Sequence, residues 1–247
     1  MIRIFSIVIL AILSANSFGQ PKENQADYPA WFLYPPVNKH SNSTVGFLQP
    51  CLDNDSSVAM AKSDGIWNIL SQSRNKVTAK AGLTGIDSRL LYVGQRPQFV
   101  IDSLGYDGIS NDFAVFDKFY GKKDYLMVVL VGPKSDSANF DNDYEKEDFG
   151  DWIHTIPGDG KYLYALGSAP KYYYQSSSWK RALENALVDL THQISTEIKS
   201  LYKFEAQNVY KTVMEEGEVV LKNWRIVARK YDSSSQTYNV LIRMPIN

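Results

Sequence analysis

The chain has 247 residues, of which 44% are hydrophobic, 21% charged and 13% aromatic, as in a folded protein rather than a disordered one. Its formal net charge is −1, so the sequence carries no basic footprint for nucleic acid or for an anionic membrane surface. This length accommodates one large domain or two small ones.

The N-terminus has the pattern of a secretory signal peptide over residues 1–19. Arg3 supplies the positive charge, an apolar run follows over residues 4–13, and Ser17 and Gly19 form a small-residue cleavage site. We therefore expect export. No later apolar run reaches the ~20 residues of a membrane span, so we expect no transmembrane segment in the mature chain. Cys51, the single cysteine, lies too far from the cleavage site to carry a lipid anchor and has no disulfide partner in the chain.

The first half of the mature chain predicts a strand, a helix and a series of further strands. Gly46 lies in a short strand over residues 45–47, and Ser56 or Ser57 is expected to cap a helix that ends near Lys76. Strand patterns follow at residues 88–93, 98–104, 113–120 and 125–131, with residues 79–112 as an insertion before the closing hairpin. The strand at 125–131 is apolar on both faces, which predicts a cover on each: the helix on one, and the second half of the chain or the insertion on the other.

The second half contains the clearest helix of the sequence. Apolar residues recur at three- and four-residue steps over residues 176–202, with Leu190 near the middle of the stripe. A single helix cannot bury such a stripe alone, so we expect a sheet beneath it. A short strand at 166–168, a long strand candidate at 203–215 and a hairpin of 224–231 with 237–244 would supply that sheet.

The two halves repeat the same pattern. Gly167 follows Gly46 by 121 residues, and the same offset relates three further pairs, which are Trp31 and Trp152, Ser57 and Ser178, and Ala61 and Ala182. Four features at one offset indicate a duplication. We predict an α+β fold of two tandem modules, each with one main helix packed on a small antiparallel sheet. The modules span residues 20–135 and 151–247, joined by an acidic, extended and solvated linker over 136–150.

These features resemble a known family. They are a tryptophan before a proline, a strand ending in Val-Gly or Leu-Gly, an Ala-rich helix and the closing hairpin IVARKYDSSSQTYNVLIRMP. The pattern is similar to the Lpp-twenty family of bacterial envelope lipoproteins and to the flagellar assembly protein T N-terminal domain. The resemblance implies a periplasmic or outer-membrane-associated location and supplies no catalytic residue. The chain departs from that family because it lacks the lipobox cysteine.

The residues that could support catalysis or metal binding do not form a recognisable set. His40, His154 and His192 lack the spacing of a helical zinc site, and Cys51 has no sequence neighbour that would activate it. We therefore expect no enzyme activity, no cofactor and no metal site. The acidic linker lacks the glycine and the final glutamate of an EF-hand.

Five tyrosines of the second module form the candidate partner or ligand surface. They are Tyr162, Tyr164, Tyr172, Tyr173 and Tyr174. Aromatic rings beside lysines can stack on sugars or on peptide, although such rings also cover cores. We expect an exported, non-catalytic envelope protein that acts as a protein–protein interaction or assembly module. The alternative is a glycan- or peptidoglycan-binding module that uses this tyrosine-rich loop.

Overall fold

The computed structural model describes residues 28–36, 43–51, 53–86, 89–94, 98–101, 110–122, 125–139, 147–205 and 216–246. Within these ranges, three α-helices and ten strands follow one another in the order α1 (Ala30–Leu33), β1 (Thr44–Leu48), α2 (Asn54–Arg74), β2 (Asn75–Ile86), β3 (Arg89–Gly94), β4 (Gln98–Ile101), β5 (Phe113–Gly121), β6 (Leu126–Pro133), β7 (Tyr162–Pro170), α3 (Gln175–Glu205), β8 (Glu216–Leu221), β9 (Arg225–Asp232) and β10 (Thr237–Pro245). Helices and antiparallel sheets in one chain confirm the α+β prediction.

Each half of the chain folds into a helix on a three-stranded antiparallel sheet. The first sheet has the order β1-β6-β5 and packs against α2, and the second has the order β7-β10-β9 and packs against α3. Both closing hairpins carry a register shift, with Phe116 bulged from β5 and Val227 from β9. A β-bulge bends and twists its strand, so the two sheets share even this local irregularity.

A glycine in the first strand of each sheet lets the helix approach closely. A Cβ on Gly46 would lie 2.0 Å from the Ala61 carbonyl oxygen, and one on Gly167 would lie 2.0 Å from the Ala182 oxygen. Both distances are far below van der Waals contact, so only glycine fits there. The repeated offset in the sequence therefore marks equivalent points of helix–strand contact.

Side chains of α2 and α3 also form hydrogen bonds with the outer edges of β1 and β7, the first strands of the two sheets. Asn68 Nδ2 donates a hydrogen bond to the Val45 carbonyl at 3.0 Å on β1. On β7, Asn185 Nδ2 donates to the Ser168 carbonyl at 2.7 Å and Gln193 Nε2 to the Tyr164 carbonyl at 3.0 Å. These carbonyl groups lie on strand edges that pair with no other strand in the described ranges, and they thus accept hydrogen bonds from the helix that packs over them.

The start of α2 differs from the predicted cap. Asp53 Oδ2 accepts the Ser56 N–H at 2.8 Å, so an aspartate outside the periodic stretch caps α2. The Ser57 hydroxyl instead accepts the Cys51 N–H, and the Ser178 hydroxyl accepts the Tyr172 N–H, both at 2.8 Å. These serines fix the loop that leads into each helix.

Three predicted segments are corrected by the structure. Helix α2 ends at Arg74, and β2 begins within the predicted last turn and runs into what we had treated as an insertion. The predicted strand at 203–215 is helical through Glu205, and the remainder of it lies outside the described residues. A 3-10 helix over Lys134–Asn139 includes residues 136–139, the start of the predicted extended linker.

Strand β2 joins the two halves of the chain. It pairs antiparallel with β8 over six residue pairs, from Asn75 opposite Leu221 to Lys80 opposite Glu216. It also pairs with β4 and, further along, with β3. β2 follows α2 directly and β8 comes after α3 in the sequence, so the two halves exchange backbone hydrogen bonds directly.

The two halves also share one hydrophobic cluster. Alternate residues of β6 face opposite sides, as predicted, and all of them except Pro133 are buried. Met127, Val129 and Val131 pack beneath α2. The opposite face, with Leu126, Val128 and Leu130, belongs to a cluster that includes α1, α3 and the second sheet. The helical segment α1, which the sequence did not predict as a cover, thus covers this face of β6 together with the second module.

We expect Gly46→Ala and Gly167→Ala each to lower the free energy of unfolding by about 1–3 kcal/mol, because the new methyl group meets helix backbone that must move. Gly158→Ala is the matched control, since a Cβ there has no atom within 4 Å. Urea midpoints measure the three variants. Equal midpoints for all three would refute the close-approach argument.

We expect residues 20–135, expressed alone, to be insoluble or much less stable than the full chain. That fragment would expose the β6 face that the shared cluster buries and would remove the β8 partner of β2. Size-exclusion chromatography and thermal unfolding compare it with the whole protein. A soluble monomer with the stability of the full chain would contradict the shared-core interpretation.

Candidate functional site: a tyrosine triplet and a cleft on the second module

The structure separates the five candidate tyrosines into two groups. Tyr162 and Tyr164 lie at the start of β7, whereas Tyr172, Tyr173 and Tyr174 lie in the turn between β7 and α3. The nine residues of β7 place these ends roughly 30 Å apart at about 3.3 Å per residue. We call the second group the tyrosine triplet and the surface around the first group the β7 cleft.

The tyrosine triplet is exposed and held by its backbone. Its three side chains are 41%, 93% and 49% exposed in sequence order. The Tyr172 N–H donates to the buried Ser178 hydroxyl at 2.8 Å, and the Lys171 N–H donates to the Gln236 carbonyl at 3.1 Å. The turn that carries the triplet is therefore held by hydrogen bonds to α3 and to the β9–β10 hairpin.

The β7 cleft has a volume of about 520 Å³, within the range of small-ligand sites. It brings together three acidic residues, two basic residues, three aromatic residues, a proline and a glycine from distant parts of the chain. The lining residues are Glu147, Asp148, Phe149, Pro157, Gly158, Asp159, Lys161, Tyr162, Tyr164 and Arg243.

Arg243 forms the inner wall of this cleft and is almost fully buried. Its Nη1 donates to Glu147 Oε2 at 2.7 Å, and its guanidinium lies 4.5 Å from the centre of the Tyr162 ring. Glu147 belongs to the acidic segment that we predicted to be solvated. The contact shows that the end of this segment is instead held against β10 by a charge-assisted hydrogen bond.

Asp159 organises the opposite side of the cleft. Its Oδ1 accepts the N–H groups of Lys161 at 2.8 Å and Tyr162 at 3.0 Å, and its Oδ2 accepts the Tyr164 hydroxyl at 3.1 Å. The hydrogen bond from the Lys161 N–H is the main cause that lowers the pKa of Asp159. Burial, followed by the bond to Asp159, raises the pKa of Tyr164. At neutral pH Asp159 is therefore an anion and Tyr164 a hydroxyl donor.

Sequence reasoning missed a buried charge between the two modules. Arg229 of β9 is 1% exposed, and its Nη1 donates to the Phe32 carbonyl of α1 at 2.7 Å while the guanidinium lies 4.7 Å from the Phe32 ring centre. Its buried Nη2 has no hydrogen-bond partner among the described residues. Burial lowers the pKa of Arg229 to about 9, so it remains a cation at neutral pH. Arg229 shares β9 with Arg225, Lys230 and Asp232, so its sequence context did not mark it as the buried charge.

Further polar contacts cross between the halves. Lys180 of α3 forms an ion pair of 2.9 Å with Asp64 of α2. Trp224 Nε1 donates to the Ser71 carbonyl at 3.0 Å, and Arg225 Nη1 donates to Gln72 Oε1 at 2.6 Å. The interface between the modules is thus specified by hydrogen bonds as well as by apolar packing.

The other titratable candidates lie on the surface or outside the described part. Cys51 is exposed, with its sulfur 3.6 Å from that of Met60. His154 is exposed and lies 2.7 Å from Asp151, and His192 is half-buried on α3. His40 lies outside the described residues. Within the described ranges, no three His, Cys, Asp or Glu side chains are arranged to hold a metal ion.

We expect Arg229→Ala to lower the free energy of unfolding by about 3–5 kcal/mol, because it empties a buried site and leaves the Phe32 carbonyl without its donor. Arg229→Met should cost less, since methionine fills much of the volume and removes a buried charge. Chemical unfolding at neutral pH measures both. A methionine variant as unstable as the alanine variant would show that the lost charge and hydrogen bond, rather than the lost volume, destabilise the protein.

Comparison of the chain with protein-family models, with curated proteins and with solved structures found no match. The resemblance to the Lpp-twenty family stays a prediction from the sequence. The functional argument therefore depends on the two surfaces described above.

Proposed function

We propose that this protein is an exported, non-catalytic component of the cell envelope that binds another protein through the tyrosine triplet. The observation that carries the proposal is the exposure of three consecutive tyrosines on a fixed turn, with Tyr173 93% exposed. Tyrosine offers a large apolar ring and a hydroxyl group with only two side-chain torsions, which is why it is enriched at protein interfaces.

The hydrogen bonds that hold the turn of the triplet support a binding role. Each of the two flanking backbone hydrogen bonds, to Ser178 and to Gln236, ties the turn to a different element. Rings on such a support lose less conformational freedom on association than rings on a free loop. The Tyr173 and Tyr174 rings already lie edge to face, with centroids 4.8 Å apart.

The envelope location is proposed from the signal-peptide pattern of residues 1–19 and from the resemblance to envelope lipoproteins. A periplasmic or outer-membrane-associated protein fits both. Across the described residues, every helix is too short or too polar to cross a bilayer.

Site-specific photo-crosslinking in intact cells tests the partner surface. We expect a benzoylphenylalanine at position 173 to give a discrete adduct with one envelope protein. The same probe at position 125 is the matched control, because Tyr125 is also exposed, at 61%, but lies on the hairpin of the first module. Adducts that are identical from both positions, or a failure of position 173 to give any discrete adduct, would contradict the proposal.

A second candidate function is glycan or peptidoglycan binding by the tyrosine-rich region. The β7 cleft favours it, since it has the volume of a small-ligand site and places Phe149 and Tyr162 beside charged side chains. Retention by purified cell-wall material, lost when Tyr172, Tyr173 and Tyr174 are all replaced by alanine, would place this activity on the triplet. Retention that survives that substitution would point to the cleft.

A further inference from the structure

We propose that the hairpin between β5 and β6 binds the surface of a membrane that contains anionic phospholipids. Its contact residues are Lys118, Tyr120, Lys122 and Tyr125, which we call the basic hairpin. The proposal goes beyond the protein partner of the tyrosine triplet and concerns the other module, so either proposal can fail without the other.

The basic hairpin places two lysines and two tyrosines in solvent at one end of the first sheet. Lys118 and Lys122 are exposed, and the side chains of Tyr120 and Tyr125 are 41% and 61% exposed. Lys118 and Tyr120 share one face of the edge strand β5, because side chains two residues apart along a strand point to the same side. Lys122 and Tyr125 belong to the turn that follows this strand, so all four residues lie close to the turn.

The charge of the basic hairpin is positive, although the whole chain has a formal charge of −1. Residues 118–125 contain three lysines and one aspartate. Neither Lys118 nor Lys122 forms an ion pair with another described residue. The preceding Asp117 points to the opposite face of β5, where its Oδ2 accepts the Trp31 Nε1–H at 2.8 Å. The hairpin therefore presents a local positive charge that attracts an anionic surface.

The backbone at Tyr125 shows that the turn does not require a tyrosine. Its φ is 47°, in the left-handed region that favours glycine and asparagine and where bulky residues are rare. Gln236 holds the same place before β10 in the second module and has a φ of 53°. The two hairpins thus share a backbone conformation but not a side chain. An aromatic ring at a position that disfavours it is an observation from which a function can be inferred.

A bilayer surface matches this combination of side chains. Tyrosine is enriched at the membrane–water interface, where its ring lies among the headgroups and its hydroxyl stays hydrated. Lysine has a long aliphatic part that lets its ammonium group reach anionic headgroups. The corresponding turn of the second module lacks both features, since Asp232 carries a negative charge there and accepts hydrogen bonds from Ser234 and Ser235. The membrane contact is therefore specific to the first module.

Co-sedimentation of the full mature chain with lipid vesicles tests this proposal. Vesicles of phosphatidylglycerol and phosphatidylethanolamine are compared with vesicles of phosphatidylcholine alone, each at low and at high salt. We expect saturable binding to the anionic vesicles only, and weaker binding at high salt because salt screens the attraction. Absence of binding to the anionic vesicles, or equal binding to both kinds, overturns the proposal.

Lys122→Glu should weaken binding to the anionic vesicles by about tenfold or more, because it changes the charge of the hairpin by two units. Lys222→Glu is the matched control, since it makes the same change at an exposed lysine between β8 and β9 and should bind as the parent protein does. Equal losses in the two variants would mean that only the net charge of the protein matters, which also overturns the proposal.

Tyr125→Asn separates binding from folding. Asparagine suits a left-handed backbone better than tyrosine, so thermal unfolding should show a variant at least as stable as the parent protein. The same variant should bind the anionic vesicles severalfold more weakly, because a ring at the interface is lost. Binding equal to that of the parent protein, or a clear loss of stability, contradicts the assignment of this ring to the membrane contact.

Discussion

The close approach of a strand to a helix is the constraint on which this structure depends. At Gly46 and at Gly167 the strand backbone lies against the helix backbone, with no room for a side chain between them. This contact sets how far each helix sits above its sheet. It also brings the amide side chains of Asn68 and Asn185 within reach of strand carbonyls. The two modules share the arrangement because they share the small residues that permit it.

Contacts between the two modules are the second feature that organises the structure. A shared hydrophobic cluster, the pairing of β2 with β8 and the buried Arg229 all cross the boundary. A buried guanidinium contributes little net stability, because its lost hydration offsets most of what its contacts provide. Its directional contacts with Phe32 do restrict how α1 can lie against β9. Apolar packing thus provides the attraction, and the polar contacts define the arrangement.

Much of the fold could be predicted from the sequence because the informative signals are local. The helix stripe around Leu190, the closing hairpins and the 121-residue offset all follow from spacing along the chain. The missed features depend on residues that are distant in sequence. Strand β2 is defined by its partner β8, and the cleft depends on Arg243 meeting Glu147, 96 residues away. The tyrosine-rich stretch was recognisable, but its division into two surfaces required the direction of β7.

The helix side chains that bond to the outer edges of β1 and β7 have a consequence for the solution behaviour of a duplicated protein. Two similar sheets in one chain are close to each other, and unpaired sheet edges are templates for strand exchange and for open-ended fibres. Asn68, Asn185 and Gln193 occupy carbonyls that an incoming strand would need. Growth of the sheets by strand addition is therefore blocked at these two edges. The chain therefore contains two similar sheets without leaving the outer edges of β1 and β7 open to pairing with another strand.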